Sequence, residues 1–182
     1  MHIAISGRLG SGKSTVCKIL NEKYGFEIYS TGKIQRAIAE KRGISTLELN
    51  KLMTSDPKLD YELDNTVNAI SRERSDESLV FDSRMAWHFA ENAFKVYIYV
   101  DPSEAARRVM NDNRGSVEKY RDEADAREQL ECRTQEENKR YMSIYGVDNL
   151  DFRNYDLIID SSNKTPDEIA EKIIAEFKKI AK

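Results

Sequence analysis

The stretch Gly7-Arg8-Leu9-Gly10-Ser11-Gly12-Lys13-Ser14-Thr15 has the residue types and spacing needed to hold a chain of phosphates. It fits the pattern G-x-x-x-x-G-K-[ST] without a mismatch. Glycines let the backbone turn with its N–H groups facing inward, where they bind phosphate oxygens. Lys13 can reach the β and γ phosphates, and the Ser14 hydroxyl can ligate Mg²⁺. A helix starting here aims the positive end of its dipole at the anion. Contacts to a nucleoside triphosphate are therefore expected from Gly7, Gly10, Ser11, Gly12, Lys13, Ser14 and Thr15. The expected cofactors are ATP and Mg²⁺. The pattern is silent on what happens to the γ phosphate.

Three later features bear on that. In "STGKIQR" (30–36), Thr31 is placed to cap the helix that follows. Arg36 lies on its second turn, and arginine suits forked contacts with a second phosphate. In "LVFDSR" (79–84), an apolar run ends in Asp82, which could hold Mg²⁺ through water. Arg84 follows at the carboxyl end of that strand, where open α/β sheets bind ligands. The third feature is a series of arginines among many acids: Arg107, Arg108, Arg114, Arg121, Arg127, Arg133 and Arg140. Arg133 and Arg140 are seven apart and share a helix face. Most of the series reads as salt-bridged groups on a solvated helix. Yet phosphoryl transfer between two anions needs cations at the transferring group and exclusion of water, and a mobile arginine-bearing lid supplies both.

These groups need a frame, and the apolar pattern provides one. Strand character appears at 2–6, 26–30, 79–82, 95–100 and 155–160, in runs rich in Ile, Val, Tyr and Phe that suit strands covered on both faces. Helical patterns occupy 13–24, 31–42, 46–54, 58–75, 103–112, 116–145 and 166–181. Thr165-Pro166-Asp167-Glu168 is a strong helix start, after which Ile169, Ile173, Ile174, Phe177 and Ile180 recur on one face. Alternating strands and helices predict a parallel sheet with helices on both sides.

The composition narrows the function. The 182 residues fit one domain, and 40% hydrophobic content is enough for a core. A net charge of −3 gives no global nucleic-acid signature. No apolar run is long enough to span a membrane, and the first residues enter a strand rather than a signal peptide. Cys17 and Cys132 match no metal spacing and read as reduced thiols, so a cytoplasmic location is expected. His2 and His88 offer neither a zinc site nor a Ser-His-Asp triad.

Taken together, these segments resemble the nucleoside monophosphate kinases, and more closely the archaeal-type cytidylate kinase family. "ISGRLGSGKST" resembles its phosphate loop, "STGKIQR" its acceptor-nucleotide motif and "DPKLDYELD" (56–64) a segment of its acceptor region. "DSRMA" resembles its acid-glycine-arginine-leucine-alanine stretch. "ENKRYMSIYGVDNLDFRNYDLIIDSS" (137–162) is the closest match. The resemblance implies a three-layer α/β P-loop kinase fold with a five-stranded parallel sheet, a helical acceptor-binding insert at 31–75 and a lid at 113–140. It implies that Lys13 and Ser14 serve ATP and Mg²⁺, with Asp82 as the second metal-site residue. Thr31, Arg36 and Arg84 would meet the acceptor, Arg108 would flank the ATP base and phosphates, and Arg133 and Arg140 would reach the transferring phosphoryl group. Lys13, Arg84, Arg133 and Arg140 are thus the expected catalytic residues.

Lys33 and Gln35 stand where an acid and an aromatic or aliphatic residue are expected, and Ser83 where glycine is usual; these departures bear on base specificity. Asp60 and Asp64 are candidates for base contacts, although an acidic helix face explains them equally well. The implied reaction moves the γ phosphate of ATP to CMP or dCMP. Alternatives are a kinase of another nucleotide, a nucleoside or a metabolite, and a non-catalytic nucleotide-binding module. A GTPase switch is disfavoured, because "NKTPD" (163–167) misses the Asn-Lys-x-Asp pattern. The expected partners are small molecules, with the chain a monomer or a homodimer.

Overall fold

A computed structural model describes residues 1–111 and 120–181, so Arg114 and the start of the expected lid lie outside the described residues. The elements in chain order are β1 (His2–Gly7), α1 (Lys13–Tyr24), β2 (Glu27–Ser30), α2 (Thr31–Arg42), α3 (Thr46–Ser55), α4 (Lys58–Glu73), β3 (Leu79–Asp82), α5 (Ala86–Phe89), β4 (Ala93–Tyr99), α6 (Pro102–Asn111), α7 (Glu123–Tyr145), β5 (Leu157–Asp160) and α8 (Pro166–Ile180). A turn of 3-10 helix at Phe152–Asn154 precedes β5.

The five strands are all parallel and run in the order β2-β3-β1-β4-β5. β1 is central and buried along its whole length, as its continuous apolar run requires. Its alternate residues divide the core. Ile3 and Ile5 join Val16, Leu20, Ile169 and Ile173 under α1 and α8, while Ala4 joins Val67, Phe81 and Ala86 under α4 and α5. A third cluster, with Trp87, Tyr97, Tyr141 and Tyr155, seats α7 against the sheet. The result is three layers. After β1 the chain builds first toward β2 and β3, then crosses to β4 on the other side. This reversal opens a crevice at the carboxyl end of β1, where ligands bind in such sheets.

Strand and helix ends shift by one or two residues from the expectation, and three differences have a clear local cause. The helix expected from 116 begins at Glu123, because Asp122 adopts extended backbone and its side chain accepts a hydrogen bond from the Asp125 N–H at 2.8 Å. Ser30, not Thr31, caps α2: its hydroxyl accepts from the Lys33 N–H, and Thr31 is the first helical residue. The four-residue α5 is too short for any period to show in the sequence. At the other end of the chain, Thr165 and Glu168 form the expected capping box, although Ile180 is exposed at the last turn.

The first glycine of the loop is a constraint of the sheet itself. Gly7 has φ +146°, and a Cβ there would lie 2.2 Å from the Ile98 carbonyl oxygen of the neighbouring strand. A Cβ on Gly12, φ +85°, meets nothing within 4 Å. Gly7→Ala is therefore expected to lose at least about 3 kcal/mol through a backbone clash, and Gly12→Ala about 1 kcal/mol through its φ alone. Urea midpoints of the two variants check the order; equal losses would contradict it.

Candidate active site

The loop between β1 and α1 forms the floor of a cavity of about 410 Å³ at the carboxyl end of the sheet. Gly10, Ser11, Gly12, Lys13, Ser14 and Thr15 all line it. Gly12, in the left-handed region, is the N-cap of α1 and turns the chain into the helix. The Lys13 ammonium donates to the carbonyl oxygens of Gly7 and Arg8, at 2.8 and 2.7 Å, and so lies across the loop. Basic side chains outnumber carboxylates along the walls: Arg36, Arg84, Arg107, Arg108, Arg133 and Lys164 accompany Lys13, against Asp82 and Glu104. Such a cavity favours polyanions.

Asp82 ends β3 beside both serines. Its Oδ2 accepts from Ser14 Oγ at 3.1 Å and from Ser30 Oγ at 2.9 Å, and Ser30 is its register partner in β2. A hydroxyl and a carboxylate side by side are hard oxygen donors of the kind Mg²⁺ takes when substrate phosphates complete its shell. Arg84 sits two residues beyond Asp82. Its carbonyl and that of Ser83 both accept from Ser6 Oγ, each at 2.9 Å, a bond hidden in the sequence by the apolar run of β1. Thr31, Gln35 and Arg36 reach the cavity from α2, opposite the loop.

The arginine series divides by geometry. Arg108 donates to Glu104 Oε1 at 2.7 Å and to the Ser161 carbonyl at 2.7 Å, which fixes it between α6 and the loop after β5 beside Lys164 and Pro166. The Arg107 bond, aided by Arg108, holds the Glu104 carboxyl down at about 2. Arg121 pairs with Asp125 on the surface, as a solvated helix would have it. Arg133 is buried and lines the cavity, donating from Nε to Glu137 Oε1 at 3.0 Å and from Nη1 to Thr46 Oγ1 at 3.1 Å.

Arg140 shares the helix face of Arg133 but does not reach the cavity. Its side chain, 1% exposed, pairs with Asp60 of α4 at 2.9 Å and donates to Asn50 Oδ1 of α3 at 3.1 Å. Seven residues along a helix are two turns, about 10 Å. That rise carries Arg140 past the crevice and into the packing between α7 and the helices α3 and α4. Asp60 and Asp64 turn inward as well, so they are neither a solvated acidic face nor part of the cavity lining.

Asp64 accepts from the Tyr145 hydroxyl at 2.8 Å. Burial pushes its carboxyl up to about 7, against the pull of the Tyr145 bond and with help from Asp60. Between the unfolded carboxylate value and about 7 the native state therefore holds a proton that the unfolded state lacks. Stability from this group is present at low pH and is lost as pH rises through that window. Asp64→Asn, which can still accept from Tyr145, is expected to match the parent closely at pH 4 and exceed it by about 4 kcal/mol at pH 8. Urea unfolding at the two pH values checks this, and a constant difference would contradict it.

Glu137, Thr46 and Asn50 do not line the cavity but hold the arginines around it, and the sequence did not single them out. Glu137 follows Arg133 by four residues, and that spacing of opposite charges was the available signal. Among the described residues there is no group of three or more His, Cys, Asp or Glu side chains placed to hold a metal ion by themselves, and no helix long and apolar enough to cross a membrane. Cys17 and Cys132 are both free, and burial pushes the Cys17 thiol well up.

Comparison with known proteins gives three kinds of match. The model of the cytidylate kinase-like family matches residues 2–163. A cytidylate kinase of Methanococcoides burtonii is 34% identical over 162 residues, covering 89% of this chain and 88% of its own length. An S-adenosylmethionine-dependent nucleotide dehydratase of Lacinutrix mariniflava is 36% identical over 97% of this chain, but the chain spans only 36% of that protein. Among solved structures, shikimate kinase from Bacteroides thetaiotaomicron superposes with a TM-score of 0.62 over 100% of this chain and 98% of its own, at 12% identity, a likeness of fold.

Proposed function

Because the chain belongs to the cytidylate kinase-like family, we propose that its cavity transfers the γ phosphoryl group of ATP to a nucleoside monophosphate, CMP or dCMP before others. One observation carries the reading. A phosphate loop and a separate set of guanidinium groups, those of Arg36, Arg84 and Arg133, face one cavity. An NTP hydrolase that acts on water adds at most a single arginine finger to its phosphate loop, whereas a kinase of an anionic acceptor needs further cations to hold that acceptor.

The loop N–H groups and Lys13 bind the triphosphate, and Arg108 with Lys164 lies at the end where its base emerges. Arg36 and Arg84 hold the acceptor phosphate. An acceptor phosphate oxygen is already anionic, so no general base is required, in keeping with the absence of histidine from the lining. Catalysis then rests on positioning and on cations placed where negative charge shifts during transfer: Lys13 on the donor side, Arg84 and Arg133 on the acceptor side. Ser14 and Asp82 are the residues that would hold Mg²⁺, which when bound neutralises phosphate charge. The insert at 31–75 and the described part of the lid region, 120–140, would exclude water by closing over the substrates.

The likeness to part of a nucleotide dehydratase favours a nucleotide over a metabolite as the acceptor. The dehydration that relative is named for is not carried over, since the match leaves most of that protein uncovered. Coupled ADP release with ATP, Mg²⁺ and each of CMP, dCMP, UMP, AMP and GMP tests the proposal. CMP or dCMP is expected to lead in kcat/KM by about tenfold or more. A different leader would move the specificity to Lys33, Gln35 and Ser83. No turnover on any of them would sink the reading.

A further inference from the structure

We infer that Glu137 is a positioning residue, which sets the Arg84 and Arg133 guanidinium groups for the acceptor phosphate; the inference rests on the phosphotransferase reading. Glu137 is buried on α7 and does not line the cavity itself. Its two carboxylate oxygens are divided between the arginines. Oε2 accepts from Arg84 Nε at 2.6 Å, and Oε1 accepts from Arg133 Nε at 3.0 Å. Asn50 Nδ2 of α3 adds a weaker bond to Oε1 at 3.4 Å.

Both arginines are thus held by the nitrogen nearest the stem. A guanidinium gripped there has its plane fixed and its terminal nitrogens directed away from the grip. For Arg84 those terminal nitrogens meet no hydrogen-bond acceptor among the described residues, and the residue lines the cavity. Its main chain is fixed too, through the Arg84 carbonyl and Ser6. Two like charges that would otherwise repel are held as a fork with one anion at its base. The guanidinium groups of Arg84, Arg133 and Arg140 overcome burial and keep the Glu137 carboxyl ionised, at about 2.

A carboxylate fits this role because it offers two equivalent acceptors, one for each arginine, whereas an amide offers one. Glu137→Gln keeps the volume and one acceptor oxygen. With the monophosphate that the parent turns over fastest, it is expected to lower kcat/KM for the acceptor by about 30-fold or more, with KM for ATP within about twofold. In an Arg84→Ala background the same change is expected to cost several-fold less than in the parent, because only the part exerted through Arg133 remains. Glu137→Asp, which keeps both oxygens on a shorter stem, should fall between, and it supplies the readout if the glutamine variant fails to fold.

Arginine side-chain NMR gives a second readout that needs no turnover. The Arg84 and Arg133 Nε–H resonances are expected to be protected from solvent exchange in the parent, and at least one of the two should lose protection in Glu137→Gln, while the Arg140 Nε–H, paired with Asp60, should not change. Losses under about threefold, equal losses in both backgrounds, or unchanged Nε–H protection would each overturn the positioning role. A parent that turns over no monophosphate, yet shows the two protected resonances, would overturn the phosphotransferase reading, and the role in catalysis with it, while leaving the fork as a purely structural feature.

Discussion

Lys13→Met is expected to lower kcat by about 10³-fold or more, with the fold retained. The Lys13 ammonium is held over the phosphate loop by the Gly7 and Arg8 carbonyls, so it is in place before any substrate arrives. A preorganised cation in a partly enclosed site acts on transferring charge without reorganisation, and one such group is worth about 4 kcal/mol of barrier. Methionine fills much the same space as the lysine stem, which is buried. The structural loss includes its bonds to the Gly7 and Arg8 carbonyls and the longer one to Ser11 Oγ, about 2–4 kcal/mol in all. Single-turnover rates with saturating ATP and acceptor, beside a urea melt, separate the two effects. A kcat within about tenfold of the parent would remove Lys13 from the transfer step.

Arg84→Ala is expected to act twice. It removes a cation from the acceptor side of the cavity, and it leaves Glu137 buried with one arginine where there were two. The first effect should lower kcat/KM for the acceptor by about 10²–10³-fold, with little change in KM for ATP. The second should cost about 1–3 kcal/mol of stability, the penalty of leaving one oxygen of a buried carboxylate without its donor, and it should raise the Glu137 carboxyl from its depressed value. Acid unfolding of the variant should accordingly begin at higher pH than in the parent, since carboxylate stability is lost as pH falls through the folded pKa. Arg84→Ala that stays as stable as the parent, or loses activity equally toward both substrates, would contradict this account.

The sheet was legible because each of its strands is an apolar run bounded by polar residues, and because helix-period segments separate them. The phosphate loop was legible because its chemistry is local: eight consecutive residues carry the whole pattern. What escaped was long-range. Nothing in "FDSRM" says that Ser6 would fix the Arg84 backbone from the adjoining strand. Glu137 is one of several acids on α7, and only packing reveals that it is the buried one, facing Asn50 and Arg84. Arg140 shows the converse. The helical spacing placed it correctly on the face of Arg133, but the lateral reach from α7 to the cavity depends on where along the helix the crevice ends. Thr31 differs from its expected part by one position, because Ser30 still has strand geometry and takes the cap.

The most direct test of phosphoryl transfer between two nucleotides is to follow the phosphorus. With ATP, Mg²⁺ and CMP, phosphorus NMR of the reaction should show the β phosphate of a new cytidine diphosphate growing in equal measure with ADP, and no inorganic phosphate beyond background. ADP formed with equal inorganic phosphate and no new diphosphate, under the same conditions, would contradict the account and make the protein a hydrolase.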